Sequence, residues 1–376
     1  MGAAATTIEP RYPLPAVVPF DAAKWEAKVF DLSKWGLSAD DVAPAGLAQY
    51  DVPHWLIVPL LRCFRHGNTA LDTLYYDVGV LWLRLFTRGY TLTSANADPP
   101  SLAFNNLAAM QAAARIINLS ALANPEGAVL AIDAHHAPFI QRYDDVEDFL
   151  RDGPAFKADN GDTTPLNIVS ITGVGSSALG SAAFAWNLSE ALRQPVAAIV
   201  PGYGLADLIP QALGGWFGFG LHDAMRRAVQ LMLAHTAPEA ARIGRHLWRS
   251  IPRVAATDAD TFLTGSPESD VLHHILLEAP QIERLCGHSK GALAIENAVR
   301  SLPETRYRNL HVTTFGCVVQ EETDADYDQI MGEIDSLGQL NSWGNWPEQW
   351  IFSWHSTNTM LPLTMAVAKL AKQEVN

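Results

Sequence analysis

The chain has 376 residues, of which 48% are hydrophobic and 18% charged, so it can build one large domain with a sizeable core. Its 26 basic and 40 acidic residues give a formal charge of −14, which argues against nucleic acid and anionic membranes as partners. Three cysteines, far apart in the chain, predict no disulfide framework. We expect a cytoplasmic protein without an integral membrane segment, because we find no signal peptide and no apolar run of about 18 residues.

Residues 1–125 are predicted to form a mainly helical N-terminal region. Its most apolar runs are residues 55–61 and 78–86, and residues 102–119 carry apolar side chains at helical spacing. No chemical motif is visible in this region. We therefore expect it to pack against the rest of the chain or against a partner.

From residue 126 onwards, short apolar strands alternate with helices. Strands are predicted at residues 128–132, 166–172, 196–200, 281–286, 310–315 and 350–354, and helices at residues 182–192 and 292–299. Apolar strands separated by helices predict an α/β domain over residues 126–376. Its sheet should be mostly parallel, with helices on both faces.

The connection between the strands at 196–200 and 281–286 is far longer than usual. It contains the apolar, glycine-rich run LIPQALGGWFGFGL at residues 208–221, followed by segments with a helical pattern. We interpret residues of about 203–280 as a lid or cap insertion over an apolar substrate. A buried helical hairpin is the alternative interpretation.

The run Gly287-His288-Ser289-Lys290-Gly291 has the form Gly-x-Ser-x-Gly and lies between a predicted strand and a predicted helix. This is the context of a nucleophile elbow, a strained turn that exposes a serine hydroxyl. The two glycines are expected where the strand and helix backbones come too close for side chains. The pattern predicts Ser289 as a catalytic nucleophile.

A serine nucleophile needs a base to accept its proton, and an acid to orient the base. In hydrolases of this type, acid and histidine follow the serine in the chain. Beyond the elbow the candidates are His311 and His355. His311 is near the start of a predicted strand, whereas His355 directly follows one, at the end where sites of parallel sheets lie. His355 is therefore the predicted base.

The acid must come from a set of carboxylates between the two: Glu321, Glu322, Asp324, Asp326 and Asp335. The dense polar cluster at residues 321–328 is also typical of a solvated loop. Asp335 lies among apolar residues and glycines, which favours a dry position beside an imidazole. We choose Asp335 as the acid, with Glu322 as the next candidate.

The negatively charged oxygen of the reaction intermediate needs hydrogen-bond donors, which form the oxyanion hole. One predicted donor is the backbone amide of Lys290, the residue after the nucleophile. The second is the amide of Val174, in the glycine-rich turn at residues 172–177. The side chain of Lys290 is expected to be solvated or salt-bridged.

The same turn fits a second hypothesis, a dinucleotide-binding fingerprint Gly173-x-Gly175-x-x-Ala178 between a strand and a helix. Against it, the next strand ends in Pro201-Gly202, with no acidic residue to hold a ribose. The hypothesis also leaves the glycines around Ser289 without an explanation. We therefore expect no cofactor.

Asp133, His135 and His136 are residue types that bind metal ions. Adjacent side chains on a strand point to opposite faces, so both histidines rarely bind one ion. The pair His273 and His274 meets the same objection. We expect no metal site.

The elbow at residues 287–292, the helix after it and the strand end Thr313-Thr314-Phe315-Gly316 resemble the α/β-hydrolase superfamily, in particular class 3 lipase relatives. The resemblance spans about residues 125–365. It implies a parallel-dominated sheet, a Ser/His/acid triad and no cofactor. The chain departs from the class 3 pattern, in which an Asp precedes a Val-Pro-like segment and a histidine follows. Here Asn358 precedes Met360-Leu361-Pro362 and no histidine follows, so His355 has to be the base and the acid has to lie earlier.

The predicted function is a serine carboxylic-ester hydrolase, lipase-like or esterase-like, that forms an acyl-enzyme with a small or polymeric apolar ester. Acyl transfer to an alcohol and polyester depolymerisation use the same triad and stay open. A non-catalytic binding scaffold with a hydrolase-like fold is the alternative of another class, and a nucleotide-binding protein is a further one. The sequence leaves the acyl chain length open and is compatible with a homo-oligomer.

Overall fold

The computed structural model describes residues 54–94, 120–123, 127–173, 175–200, 267–321 and 323–373, and the single residues 218, 225, 229 and 232. The following predictions fall wholly or mostly outside these residues: the helix at 102–119, the lid or cap over about 203–280, the oxyanion donor Val174 and the alternative acid Glu322. The last part of the predicted lid is described, and there Pro267–Glu278 is a helix that packs into the core and does not form a cover.

The described part of the chain contains strands that we label in chain order. They are β1 (Ala128–Ile132), β2 (Ile140–Tyr143), β3 (Ala155–Lys157), β4 (Thr163–Pro165), β5 (Ile168–Ile171), β6 (Val196–Val200), β7 (Arg284–His288), β8 (His311–Phe315), β9 (Asp326–Gly332) and β10 (Gln349–Ile351). Its helices are α1 (His54–Tyr75), α2 (Val78–Ser94), α3 (Ser120–Ala123), α4 (Val146–Asp152), α5 (Ala178–Leu192), α6 (Pro267–Glu278), α7 (Lys290–Val299), α8 (Glu304–Tyr307), α9 (Ser336–Asn341) and α10 (Val367–Gln373).

Eight of these strands form one sheet in the order β2-β1-β6-β5-β7-β8-β9-β10, while β3 and β4 form a separate hairpin. In this sheet order, the six strands β6, β5, β7, β8, β9 and β10 all pair in parallel. At one edge β1 runs antiparallel to both of its neighbours. The prediction of an α/β chain with a mostly parallel sheet is confirmed. The antiparallel edge was not predicted; β1 and β2 are joined by a connection too short for a parallel crossover.

Helices cover both faces of the sheet, so the central strands are buried on both sides. Along β6, for example, Val196, Ala198 and Val200 face one core, whereas Ala197 and Ile199 face the other. The first core includes residues of α2, α5 and α10, and the second includes residues of α4, α6 and α7. Among the helices that the structure describes, none is long and apolar enough to cross a membrane.

Near the elbow and the C-terminus, two strands end at other residues than predicted and a third strand was not predicted. β7 runs to His288, so the strand ends directly at Ser289. β10 ends at Ile351, and the predicted continuation to residue 354 is a loop that leads to His355. β9 was not predicted, because its exposed first residues resemble a solvated loop and only its second half is buried. It lies beside β8 and supports the segment that carries Asp335.

Candidate active site

Ser289 lies at the carboxyl end of the central strand β7, in a strained backbone conformation. Its φ of 58° and ψ of −129° are sparsely populated by residues other than glycine. Its amide donates to the carbonyl of Phe315 on β8 (2.9 Å), so the elbow is anchored to the sheet. A Cβ on Gly291 would lie 2.2 Å from the carbonyl oxygen of Ile171, and one on Gly287 would lie 2.8 Å from the Cα of Ala292. Side chains at these two positions would push α7 away from β5 and β7.

The structure brings the three residues of the predicted triad into contact. His355 Nε2 lies 2.9 Å from Ser289 Oγ, and His355 Nδ1 lies 2.8 and 3.0 Å from the two carboxylate oxygens of Asp335. All three side chains are buried. A carboxylate only accepts hydrogen bonds, so a neutral His355 carries its hydrogen on Nδ1. Nε2 is then the acceptor that faces the serine hydroxyl.

Asp335 owes its position to the turn after β9. It is the N-cap residue of α9, and its Oδ1 accepts from the amide of Gly338 (2.7 Å). Gly316, with a φ of +65°, makes room for the pair: a Cβ there would lie 3.0 Å from Asp335 Oδ2 and 3.2 Å from His355 Nδ1. The short helix and the glycine at the end of β8 together place the carboxylate against the imidazole.

The described alternatives to His355 and Asp335 have other partners. His311 Nδ1 contacts Asp326 at 2.8 Å, at the start of β8 and β9, the ends opposite to Ser289. Glu321 accepts from the side chain of Gln329 (2.9 Å), and Asp324 pairs with an exposed arginine, Arg308.

The Lys290 side chain is salt-bridged, one of the two expected states, but the pair is buried. Its Nζ lies 2.8 Å from Glu268 Oε1 on α6, and both side chains are less than one-tenth exposed. The pair connects the elbow helix to the first turn of α6. Removing one partner of a buried ion pair costs about 3–5 kcal/mol, because the other charge is left buried without a partner.

A small cavity opens over Ser289, and one of its walls comes from a region without a sequence motif. On the sheet side it is lined by His288, Ser289, Leu337 and His355. The other wall consists of side chains from α1 and the residue after it: Asn68, Leu71, Asp72, Tyr75 and Tyr76. The apolar pattern of this region predicts packing alone, so its place in the cavity wall is an addition from the structure.

The polar residues of this wall follow a helical period. Asn68, Asp72 and Tyr76 are four residues apart, which places them on one side of α1 and its end, and all three are buried. Polar residues that recur every four positions on a buried side of a helix are unusual. This spacing is the sequence signal that could have identified the three residues.

Asp72 holds the start of α5, directly after the glycine turn, which we define as residues 172–177. Its Oδ2 accepts from the amides of Ser177 (2.8 Å) and Gly180 (3.3 Å). Burial raises the pKa of Asp72 from 3.8 to about 7, although these hydrogen bonds oppose the shift. A dinucleotide phosphate would need the same helix N-terminus, so this carboxylate weakens the dinucleotide hypothesis.

Two of the histidines considered as metal ligands each contact a single carboxylate. His136 Nδ1 lies 2.9 Å from Asp133 Oδ2, and His274 Nε2 lies 3.0 Å from Glu147 Oε1. His273 and His274 are on α6, not on a strand as supposed above. Within the described residues, no three His, Cys, Asp or Glu side chains converge in a geometry that could hold a metal ion.

The segment between the acid and the end of the chain forms an apolar surface. Trp343, Trp346 and Phe352 are 74%, 79% and 62% exposed. From residue 336 to 368, Glu348 is the single Asp, Glu, Lys or Arg, and its carboxylate accepts from the backbone of β9. In the same segment Leu337 lines the cavity, and Leu340 on the same short helix is mostly exposed. Isolated exposed apolar side chains are common, but a charge-poor aromatic surface is not.

Comparison with known families, curated proteins and solved structures finds nothing that matches this chain. Its functional assignment therefore depends on its own residues.

Proposed function

We propose that the chain is a serine carboxylic-ester hydrolase with the α/β-hydrolase fold. The observation that carries the proposal is the line of contacts from Ser289 Oγ to His355 Nε2 (2.9 Å) and from His355 Nδ1 to Asp335 (2.8 Å). Nucleophile, base and orienting carboxylate in this geometry define the Ser-His-acid triad. The strained backbone of Ser289 adds independent support, because such strain is typical of nucleophile elbows.

The arrangement of the strands supports the fold proposal. Ser289 follows β7, Asp335 follows β9 and His355 follows β10, so all three come from the carboxyl ends of parallel strands. Ligands of open parallel sheets bind at this edge. The order Ser, acid, His along the chain is the order of the α/β-hydrolases.

In the proposed reaction, Ser289 Oγ attacks the acyl carbon of an ester while His355 Nε2 takes its proton. Asp335 stabilises the imidazolium that forms, and His355 then protonates the leaving alcohol. The acyl-enzyme is hydrolysed by water with His355 again as base. The amides of Lys290, at the N-terminus of α7, and Val174 are the proposed donors to the oxyanion.

An apolar ester is the substrate class that fits best. The cavity is flanked by Leu71, Tyr75 and Leu337, and the segment that follows Leu337 in the chain is aromatic and charge-poor. An anionic acyl group would lose its hydration there and would meet no lysine or arginine among the described lining residues. A neutral acyl chain would bury apolar area at about 25 cal/mol per Å².

A fluorophosphonate probe, which modifies activated serines, tests the proposal together with a series of p-nitrophenyl esters of increasing chain length. We expect wild-type protein to be labelled at Ser289 and to hydrolyse the esters. Ser289→Ala should lose labelling and about 10⁴- to 10⁶-fold of kcat. Adding a competing alcohol and analysing the products then separates hydrolysis from acyl transfer.

Ser301→Ala is the matched control, since Ser301 lies beyond the C-terminal end of α7 and bonds to the Asn297 carbonyl. It should label and turn over like the wild type. Full activity in Ser289→Ala, or no labelling of correctly folded wild type, would contradict the proposed function. The second outcome would favour a binding scaffold.

A further inference from the structure

A continuous chain of hydrogen bonds runs from the glycine turn to the backbone of the proposed base. The amide of Gly173 donates to the Tyr76 hydroxyl (2.8 Å), and that hydroxyl lies 2.9 Å from His288 Nδ1. His288 Nε2 lies 2.9 Å from the carbonyl oxygen of His355. This series of hydrogen bonds therefore begins at Gly173, one residue before the proposed donor Val174, and ends at the backbone of His355.

The direction of each hydrogen bond follows from chemistry. The carbonyl of His355 only accepts, so His288 carries its hydrogen on Nε2 and accepts at Nδ1. Tyr76, which accepts from Gly173, must then donate to His288. Burial, and next the nearby His355, hold the pKa of His288 well below its ordinary value, so the ring stays neutral. Burial likewise raises the pKa of Tyr76, so its hydroxyl keeps the proton that it donates.

The loop after His355 is also fastened to the C-terminal end of α1. The hydroxyl of Ser356 donates to the Leu74 carbonyl (2.7 Å), and the amide and hydroxyl of Thr357 donate to the Tyr75 carbonyl (both 2.8 Å). The side chain of Asn358 donates to the Thr73 carbonyl (2.7 Å). The last carbonyls of a helix lack partners within the helix, and here the loop that carries His355 supplies them.

We propose, on the basis of the ester-hydrolase function proposed above, that Tyr76 is a positioning residue of the reaction and that α1 is thereby part of the catalytic machinery. Through Gly173, Tyr76 positions the start of the glycine turn, directly before the proposed donor Val174 in the sequence. Through His288, it sets the backbone of His355 relative to Ser289. Helix α1 and Tyr76 thus contact both the start of the glycine turn and the loop that carries His355, and we infer that they fix the position of one relative to the other.

Tyr76→Phe tests this role because it removes the hydroxyl and keeps the ring, which packs edge-on against Phe184 and His288. We expect kcat for a soluble ester to fall about 10- to 100-fold, the range typical of residues that orient catalytic groups. KM should stay within about twofold, because substrate binding does not need the hydroxyl.

Two readouts separate positioning from a general loss of structure. A trifluoromethyl ketone, which forms a tetrahedral adduct with the serine, should lose affinity by the same factor as kcat, whereas the matching methyl ketone should bind unchanged. In ¹⁵N-histidine NMR spectra, the ring signals of both His288 and His355 should shift in Tyr76→Phe.

Tyr143→Phe is the matched control: its hydroxyl donates to Gln141 on β2, at the far edge of the sheet. It should leave kcat, ketone affinity and histidine spectra unchanged. His288→Asn is the second variant, which breaks the same chain at its next member. If both residues act through one chain, the double variant should lose little more kcat than the stronger single variant.

A Tyr76→Phe protein with wild-type kcat and wild-type ketone affinity would overturn the proposal while leaving the ester-hydrolase function intact. If the affinity for both ketones fell equally and KM rose by a similar factor, Tyr76 would have only a structural role. If the wild type neither labels nor cleaves esters, the proposed function fails. In that case the NMR spectra alone test whether Tyr76 positions His355, and unchanged His355 signals in Tyr76→Phe would contradict a positioning role.

Discussion

The two walls of the cavity differ in how their polar residues are encoded. The sheet wall has Ser289 and His355, which follow strand ends and carry a recognisable spacing of glycines around the serine. The helix wall has Asn68, Asp72 and Tyr76, which follow the period of α1 and carry no motif. Both walls are buried and both contact the glycine turn or the elbow. One wall of the site can thus be recognised by a sequence motif, whereas the other cannot.

The difference reflects the range of the interactions. An elbow is local, because strand, turn and helix are consecutive and the strain at Ser289 requires small neighbours within a few residues. The contacts of α1 join residues about one hundred to three hundred positions apart, such as Asp72 with Ser177 and Tyr75 with Thr357. The sequence around a residue of α1 does not indicate which distant residue it will contact. Variants on each wall test whether the two walls contribute to the site as described.

Asp335, the partner of His355 in the sheet wall, should give a larger effect on substitution by asparagine than any change on the helix wall. The amide keeps the shape of the carboxylate but cannot stabilise the imidazolium, and it can present an N–H to His355 Nδ1 and reverse the tautomer. We expect kcat to fall about 10⁴-fold with little change in KM. Steady-state kinetics with a soluble ester check this.

Asp326→Asn is the matched control, because Asp326 contacts His311 at the other end of the sheet. It should retain wild-type kcat. Wild-type activity in Asp335→Asn would remove this residue from the triad and return Glu322 to the candidates.

On the helix wall, Asp72→Asn should change how stability depends on pH. The pKa of Asp72 is about 7 in the folded chain and about 3.8 when exposed, so between these values the folded state keeps a proton that the unfolded state has lost. The free energy of unfolding therefore falls as pH rises through this window, by about 3 kcal/mol between pH 5 and 8. Asparagine does not titrate, so the variant should lack this component.

Urea unfolding of both proteins at pH 5, 6, 7 and 8 measures the component as the change in their stability difference. The exposed Asp159→Asn is the control, and its difference from wild type should not vary with pH in this range. A constant difference between wild type and Asp72→Asn would show that Asp72 is ionised throughout. Its bonds to α5 would then be charge-assisted.

The smallest effect is expected outside both walls, at the aromatic surface. Replacing Trp343 and Trp346 together by serine should lower activity on an emulsified long-chain ester about tenfold, because apolar area that contacts the substrate phase is lost. Activity on a soluble short-chain ester should stay within about twofold. Leu83→Ser, at a 68% exposed position of α2, is the control and should leave both activities unchanged. Equal losses on both esters would contradict a role in contacting insoluble substrate.

Much of the sheet was predictable because its strands are short, apolar and buried on both faces. β1 and β6 were predicted with their observed bounds, and β8 to within a residue. β9 was missed because Asp326, Tyr327 and Asp328 lie at its partly exposed start, where the usual apolar signal is absent. The pairing of Asp335 with His355 was predicted from composition around the aspartate, and the structure places them in contact.

The alternation of strands and helices and the strained turn at Ser289 follow from local sequence, since both depend on the apolar period and on glycines close in the chain. The surroundings of that turn depend on how distant segments pack. Tyr76 meets His288, and the end of α1 meets the loop after His355, because the hydrogen-bonding groups of a buried helix end and a buried turn must find partners, whatever their distance along the chain. The identity of those partners depends on how the elements pack, which no spacing of residues specifies.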